Sequence, residues 1–77
     1  MVTLKAAIRK EHICVMAGRE LRRLRAANGL TQQKLANKMA AWGWKRYTVD
    51  NYERSAGFRL ELPVMNELLT ILKARSI

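Results

Sequence analysis

Apolar positions in this chain fall mostly at helical spacing. Ala17, Leu21, Leu24 and Asn28 recur at intervals of three and four, with Arg19, Arg22, Arg23 and Arg25 covering much of the remaining surface. This predicts a helix over residues 17–27, stopped by Asn28 and Gly29, both tolerant of a left-handed cap. Thr31 then suits an N-cap, with Leu30 before it as a staple and Leu35, Ala36 and Met39 as the buried stripe of a second helix. Ala40, Ala41 and Trp42 extend that helix by nearly a turn and Gly43 ends it. Of Trp42 and Trp44, one is expected to plug the core and the other to stay partly exposed.

A third helix is expected over Lys45 to Arg54. Val49 and Tyr52 face inward with support from Thr48, while Arg46, Tyr47, Asp50, Asn51 and Arg54 face outward. Residues 55–62 read as a connecting loop, with Phe58 and Leu60 tucked in and Arg59 outside. Pro63 suits a first helical turn, and Met65, Leu68, Leu69 and Leu72 carry a last helix over residues 63–74. Before all of these, residues 4–11 favour a helix, while residues 12–16 fit a short strand equally well. The expected fold is all-α and compact, with four to five helices around a central helix-turn-helix. Residues 1–16 form an N-terminal arm or extra helix and residues 17–77 the main domain.

Length and charge narrow the picture. A chain of 77 residues supports one core. Fifteen Lys and Arg against six Asp and Glu give a formal charge of +9. That balance favours polyanionic partners: nucleic acid first, an anionic membrane surface second. Cys14 is the only cysteine, so no internal disulfide forms, and with His12 it supplies half a zinc site at most. No apolar run approaches the roughly 20 residues that cross a bilayer. Lys5, Arg9 and Lys10 are followed only by the short run 13–17, which does not make a secretory signal. The expected setting is the cytoplasm, close to the nucleoid. No paired carboxylates, nucleophile-base set or phosphate-cradling glycine loop is present, so no catalytic residue, metal or cofactor is expected and the chain does not read as an enzyme.

Some side chains are candidates for contact chemistry. Gln32 and Gln33 follow Thr31 in a first helical turn, where open backbone N–H groups face any phosphate at the helix end; ordinary exposed glutamine is the alternative reading. For Asp50, three roles stand: accepting from a cytosine amine, capping the helix, or orienting Arg46, which ranks first. Arg19, Arg22 and Arg23 read either as cationic attraction or as plain solvated surface.

The run RELRRLRAANGLTQQKLANKM followed by TVDNYER resembles the Cro and cI-type helix-turn-helix family, also called the XRE family, over roughly residues 18–55. The spacing of Arg25, Gly29, Leu30, Thr31, Gln32, Leu35 and Ala36, paired with the YER end of the second motif helix, carries the likeness. The resemblance implies an ion pair between Arg25 and Glu53 that clamps the recognition helix. It implies a phosphate contact from Gln32 and base reading by Arg46, Tyr47 and Asn51. Lys45 and Asp50 complete the expected base-reading set; Thr31, Gln32, Gln33, Arg54 and Arg59 make up the expected phosphate-binding set. Two departures stand out: AAWGW lengthens the connection between the motif helices, and Ser55-Ala56-Gly57 replaces a glycine directly after the Glu-Arg pair.

The function this implies is sequence-specific binding of double-stranded DNA as a homodimer, as a small phage-like or bacterial repressor. No membrane or small-molecule partner is expected. Other readings are an antitoxin-like adaptor whose basic face serves a protein, and an architectural or recombination accessory protein.

Overall fold

The computed structural model describes residues 13–74. In chain order they form β1 (Ile13–Met16), α1 (Gly18–Ala27), α2 (Gln32–Lys38), a 3-10 turn (Ala40–Trp42), α3 (Arg46–Arg54), β2 (Phe58–Glu61) and α4 (Leu62–Ile71). The helix expected over residues 4–11 lies outside the described residues.

The all-α expectation is overturned by a small sheet. β1 and β2 pair antiparallel, with Ile13 opposite Glu61, Cys14 opposite Leu60, Val15 opposite Arg59 and Met16 opposite Phe58. The fold is therefore mixed α/β, and residues 58–61 are a strand within what reads as a connecting loop. The physical reason is local: Phe58 and Leu60 are buried while Arg59 and Glu61 are exposed, the period of two that a half-buried strand requires. Helix α4 packs against both strands. It starts at Leu62, with Pro63 in its first turn, where the missing N–H costs nothing.

On the other side of the core, α1 and α2 both pack on α3. Leu21 of α1, Leu35 and Met39 around α2, Val49 of α3 and Leu68 of α4 are fully buried. Each large apolar side chain taken out of water contributes about 1.5–3 kcal/mol before conformational entropy is set against it. Trp44 fills the role of core plug at 7% exposure, while Trp42 on the 3-10 turn remains 45% exposed. Gly43 closes that turn at φ +81°, a left-handed conformation that suits glycine.

The ends of α1 are tied down twice. At its start, the Gly18 N–H donates to the Ser55 carbonyl at 3.2 Å. At its end, Gly29 adopts φ +67°, the Gly29 N–H donates to the Ala26 carbonyl at 3.0 Å and the Leu30 N–H to that of Arg25 at 3.1 Å. This is the paired bonding of a Schellman cap. The Asn28 amide adds a tertiary tie, donating from Nδ2 to the carbonyls of Leu24 at 2.8 Å and Leu72 at 2.7 Å, so α1 and α4 finish against each other.

Candidate nucleic-acid interface

Helix α3 is set in place from its first residue. The Lys45 N–H, at the N-cap, donates to Thr48 Oγ1 at 3.1 Å, satisfying a group the helix leaves open. Val49 is buried and Tyr52 half-buried on the inner face. Trp44 meets Tyr52 edge-on, with centroids 5.2 Å apart, and Tyr52 stacks on Phe58 at 4.4 Å. This aromatic row carries the helix across to β2. With the inner face anchored, Arg46, Tyr47, Asn51 and Arg54 are exposed together on the outer one, Lys45 is exposed just ahead of them and Asp50 is half-buried.

Arg25 and Glu53 meet across α1 and α3. Arg25 Nε and Nη2 donate to the two carboxylate oxygens of Glu53 at 2.5 and 3.1 Å, and Nη1 donates to the Leu30 carbonyl at 2.8 Å. The Glu53 side chain is 5% exposed and that of Arg25 16%. A planar guanidinium offers the carboxylate two parallel N–H groups and the carbonyl a third, a fork that the point charge of an ammonium does not present. The hydrogen bond to Glu53 holds the Arg25 guanidinium above its ordinary pKa, with partial burial opposing it.

Gln32 lies at the centre of the same network. Its Nε2 donates to Asp50 Oδ1 and to Glu53 Oε1, both at 3.2 Å. Its Oε1 accepts from Arg46 Nη1 at 3.5 Å, the long limit of such a bond. A primary amide has two N–H donors, and both are committed to carboxylates. A phosphate contact from this side chain therefore requires one of those bonds to break. Asp50 reaches Arg46 through Gln32 and not directly, while its second oxygen pairs with Arg54 Nη2 at 3.0 Å.

The other expected contact residues fall outside this network. Thr31 caps α2, accepting the Lys34 N–H at 3.0 Å, and Gln33 donates along the helix to Asn37 Oδ1 at 2.9 Å. Arg59 is exposed on β2, on the same side of the sheet as Val15. The wider turn at Ser55-Ala56-Gly57 is closed by the Ser55 hydroxyl, which accepts the Gly57 N–H at 3.0 Å and donates to the Gly57 carbonyl at 2.5 Å.

Two residues that position the site did not stand out in the sequence. Gly18 reads as an ordinary small residue at a helix start, yet a Cβ there would lie 2.3 Å from the Tyr52 carbonyl oxygen, 2.4 Å from that of Ser55 and 2.6 Å from that of Glu53. Asn28 reads as a cap, and its reach to Leu72 spans a separation no local pattern encodes. Glycine early in an otherwise strong helical pattern was the one available signal for the first.

Among the described residues no helix is long and apolar enough to cross a membrane, and no cluster of His, Cys, Asp and Glu suits a metal. Comparison of the chain with protein-family models, with curated proteins and with solved structures found no match.

Proposed function

We propose that this chain is a sequence-specific regulator of double-stranded DNA that lays α3 in the major groove, in the manner of the helix-turn-helix family its sequence resembles. The observation that carries this reading is the joint exposure of Arg46, Tyr47, Asn51 and Arg54 on one face of a helix whose other face is fixed by Val49, Tyr52 and the Arg25–Glu53 fork. Arg46 suits a guanine edge and Asn51 an adenine edge, each bidentate contact giving about 1–3 kcal/mol of discrimination. Tyr47 and Lys45 extend the reading surface toward the start of the helix. Thr31, Gln33, Arg54 and Arg59 are candidates for the phosphate backbone.

In this proposal Gln32 and Asp50 hold other side chains in place more than they touch DNA. Gln32 joins Arg46 to the carboxylates beneath it, and Asp50 steadies Arg54. One copy covers one half-site, so occupancy of an operator as a repressor calls for a homodimer with half-sites one helical turn apart. Its place of action is then the nucleoid, or the host cytoplasm for a phage-encoded copy.

Selection of bound duplexes from a random pool tests this. The expected result is an enriched pair of inverted half-sites at a fixed spacing near one helical turn. A pool that stays random after repeated rounds contradicts it.

A further inference from the structure

The arginines of α1 are not equivalent. Arg23 is occupied: its guanidinium pairs with Glu20 one turn earlier, with Nε donating to Oε1 at 2.9 Å. Arg25 is built into the clamp with Glu53. Arg19 and Arg22 are exposed, and among the described residues neither side chain makes a hydrogen bond or contact ion pair. Arg19 adds to the field on Glu20, but that carboxylate accepts its hydrogen bonds from Arg23.

Position separates them further. Arg22 lines a solvent-open cleft whose other walls carry Gln32, Asp50 and Arg54, residues of the candidate interface itself. Arg19 lines a second cleft, which shares Glu53 and Arg54 with the first and continues to Ser55 and Ala56 at the end of α3. Residues 19 and 22 lie one turn apart on the same side of their helix. The two therefore form a cationic row beside the end of α3, continuous with the outer face of that helix. The acidic groups in these clefts are already engaged: Glu53 accepts from Arg25 and Gln32, and Asp50 from Gln32 and Arg54.

We infer that Arg19 and Arg22 are a second set of DNA-backbone contacts, binding phosphates that flank the groove occupied by α3. This rests on the DNA-binding reading above and adds to it contacts from α1. The occupant is a phosphodiester backbone because the row presents charge without a fixed acceptor, and because it adjoins the face proposed to meet the duplex. Such contacts position the protein and carry no base information.

The test measures binding of the full chain to a fluorescein-labelled duplex of random sequence and to one from the selected pool, across a series of salt concentrations. Arg19→Ala and Arg22→Ala are each expected to weaken both duplexes by the same factor. Each should flatten the slope of log K against log salt by about 0.9, and together by about 1.8. Arg23→Ala is the control on the same helix and should leave the slope unchanged, since its charge is already paired. Circular dichroism of each variant checks that α1 stays folded, and Arg22→Lys should restore the slope lost in Arg22→Ala. An equal loss in Arg23→Ala overturns the inference, because net charge then explains everything. An unchanged slope in the double variant overturns it too, and leaves the reading of α3 standing if Arg46→Ala still alters base preference. Absence of salt-dependent binding by the wild-type chain to any duplex overturns both.

Discussion

Gly18 and Ser55 touch where α1 begins and α3 ends: the Gly18 N–H donates to the Ser55 carbonyl at 3.2 Å, and the space a Cβ needs is taken by the oxygens of Tyr52, Glu53 and Ser55. The backbone φ is not the constraint, since only Gly29 and Gly43 among the described glycines lie at positive values. Close approach of two backbones is. Gly18→Ala forces three backbone carbonyls aside and is expected to destabilise the domain by about 1–3 kcal/mol, as overpacking does. For a domain of this size that lowers Tm by about 4–8 °C per kcal/mol, readable by thermal melting. An unchanged Tm contradicts the close approach.

The clamp predicts an order of severity. Glu53→Ala leaves two of the three bonded Arg25 nitrogens and one donor of Gln32 without a partner, with the Arg25 charge mostly out of water, at a cost of about 3–5 kcal/mol. Arg25→Lys keeps the charge but loses the fork and the bond to the Leu30 carbonyl, so it should also destabilise, by about 1–3 kcal/mol. The raised pKa of Arg25 means its contribution is complete below the ordinary guanidinium value and is lost only as pH rises through the higher one. Denaturant midpoints of the two variants check the order; a silent Arg25→Lys sinks the bidentate account.

Much of this was legible in the sequence, for reasons that also explain what was missed. Helices α1 and α4 each carry several apolar residues at intervals of three and four, a signal that survives without tertiary information; α2 and α3 carry it more thinly, through Leu35, Ala36 and Met39 and through Val49 and Tyr52. The sheet did not stand out because each strand is four residues long and its partner lies more than forty positions away. Ile13 to Met16 is continuously apolar, which suits strand and helix alike. Phe58 to Glu61 alternates as a strand should, but four residues of alternation between a serine-glycine turn and a proline read equally well as loop. The pairing of Arg25 with Glu53 came from the likeness to a known family. The commitments of Gln32 and Asp50 depend on which carboxylates reach a given amide in space, and spacing along one chain does not supply that.

Lys73 adopts φ +56° after α4, in a cap where its N–H donates to the Thr70 carbonyl at 3.1 Å and the Ala74 N–H to that of Leu69 at 2.8 Å. This is the bonding that Gly29 completes after α1, here with a side chain in the left-handed region. Lys73→Gly should stabilise the domain by up to about 1 kcal/mol, seen as a higher Tm. A lower Tm contradicts this.

Asp50 has two candidate uses that one variant separates. Its oxygens are taken by Gln32 and Arg54, so Asp50→Asn should preserve the shape and the Gln32 bond while releasing Arg54. The pair with the exposed Arg54 guanidinium contributes under about 1 kcal/mol, so binding to random duplex should tighten by no more than about fivefold. Base preference should not change. A shift in preference at one position, seen by repeating the pool selection, would restore Asp50 to the residues that read bases.

Asn51 tests the central claim most directly, because it is exposed in the middle of the outer face of α3 and its side chain makes no hydrogen bond among the described residues. The measurement is the affinity of wild type and Asn51→Ala for the selected duplex and for its single-base variants, at one salt concentration. The expected result is a loss of about 1–3 kcal/mol on the selected duplex, with discrimination relaxed at one adenine position in each half-site and the salt slope unchanged. Equal weakening on every duplex, or none on any, contradicts the account of α3 as the element that reads sequence.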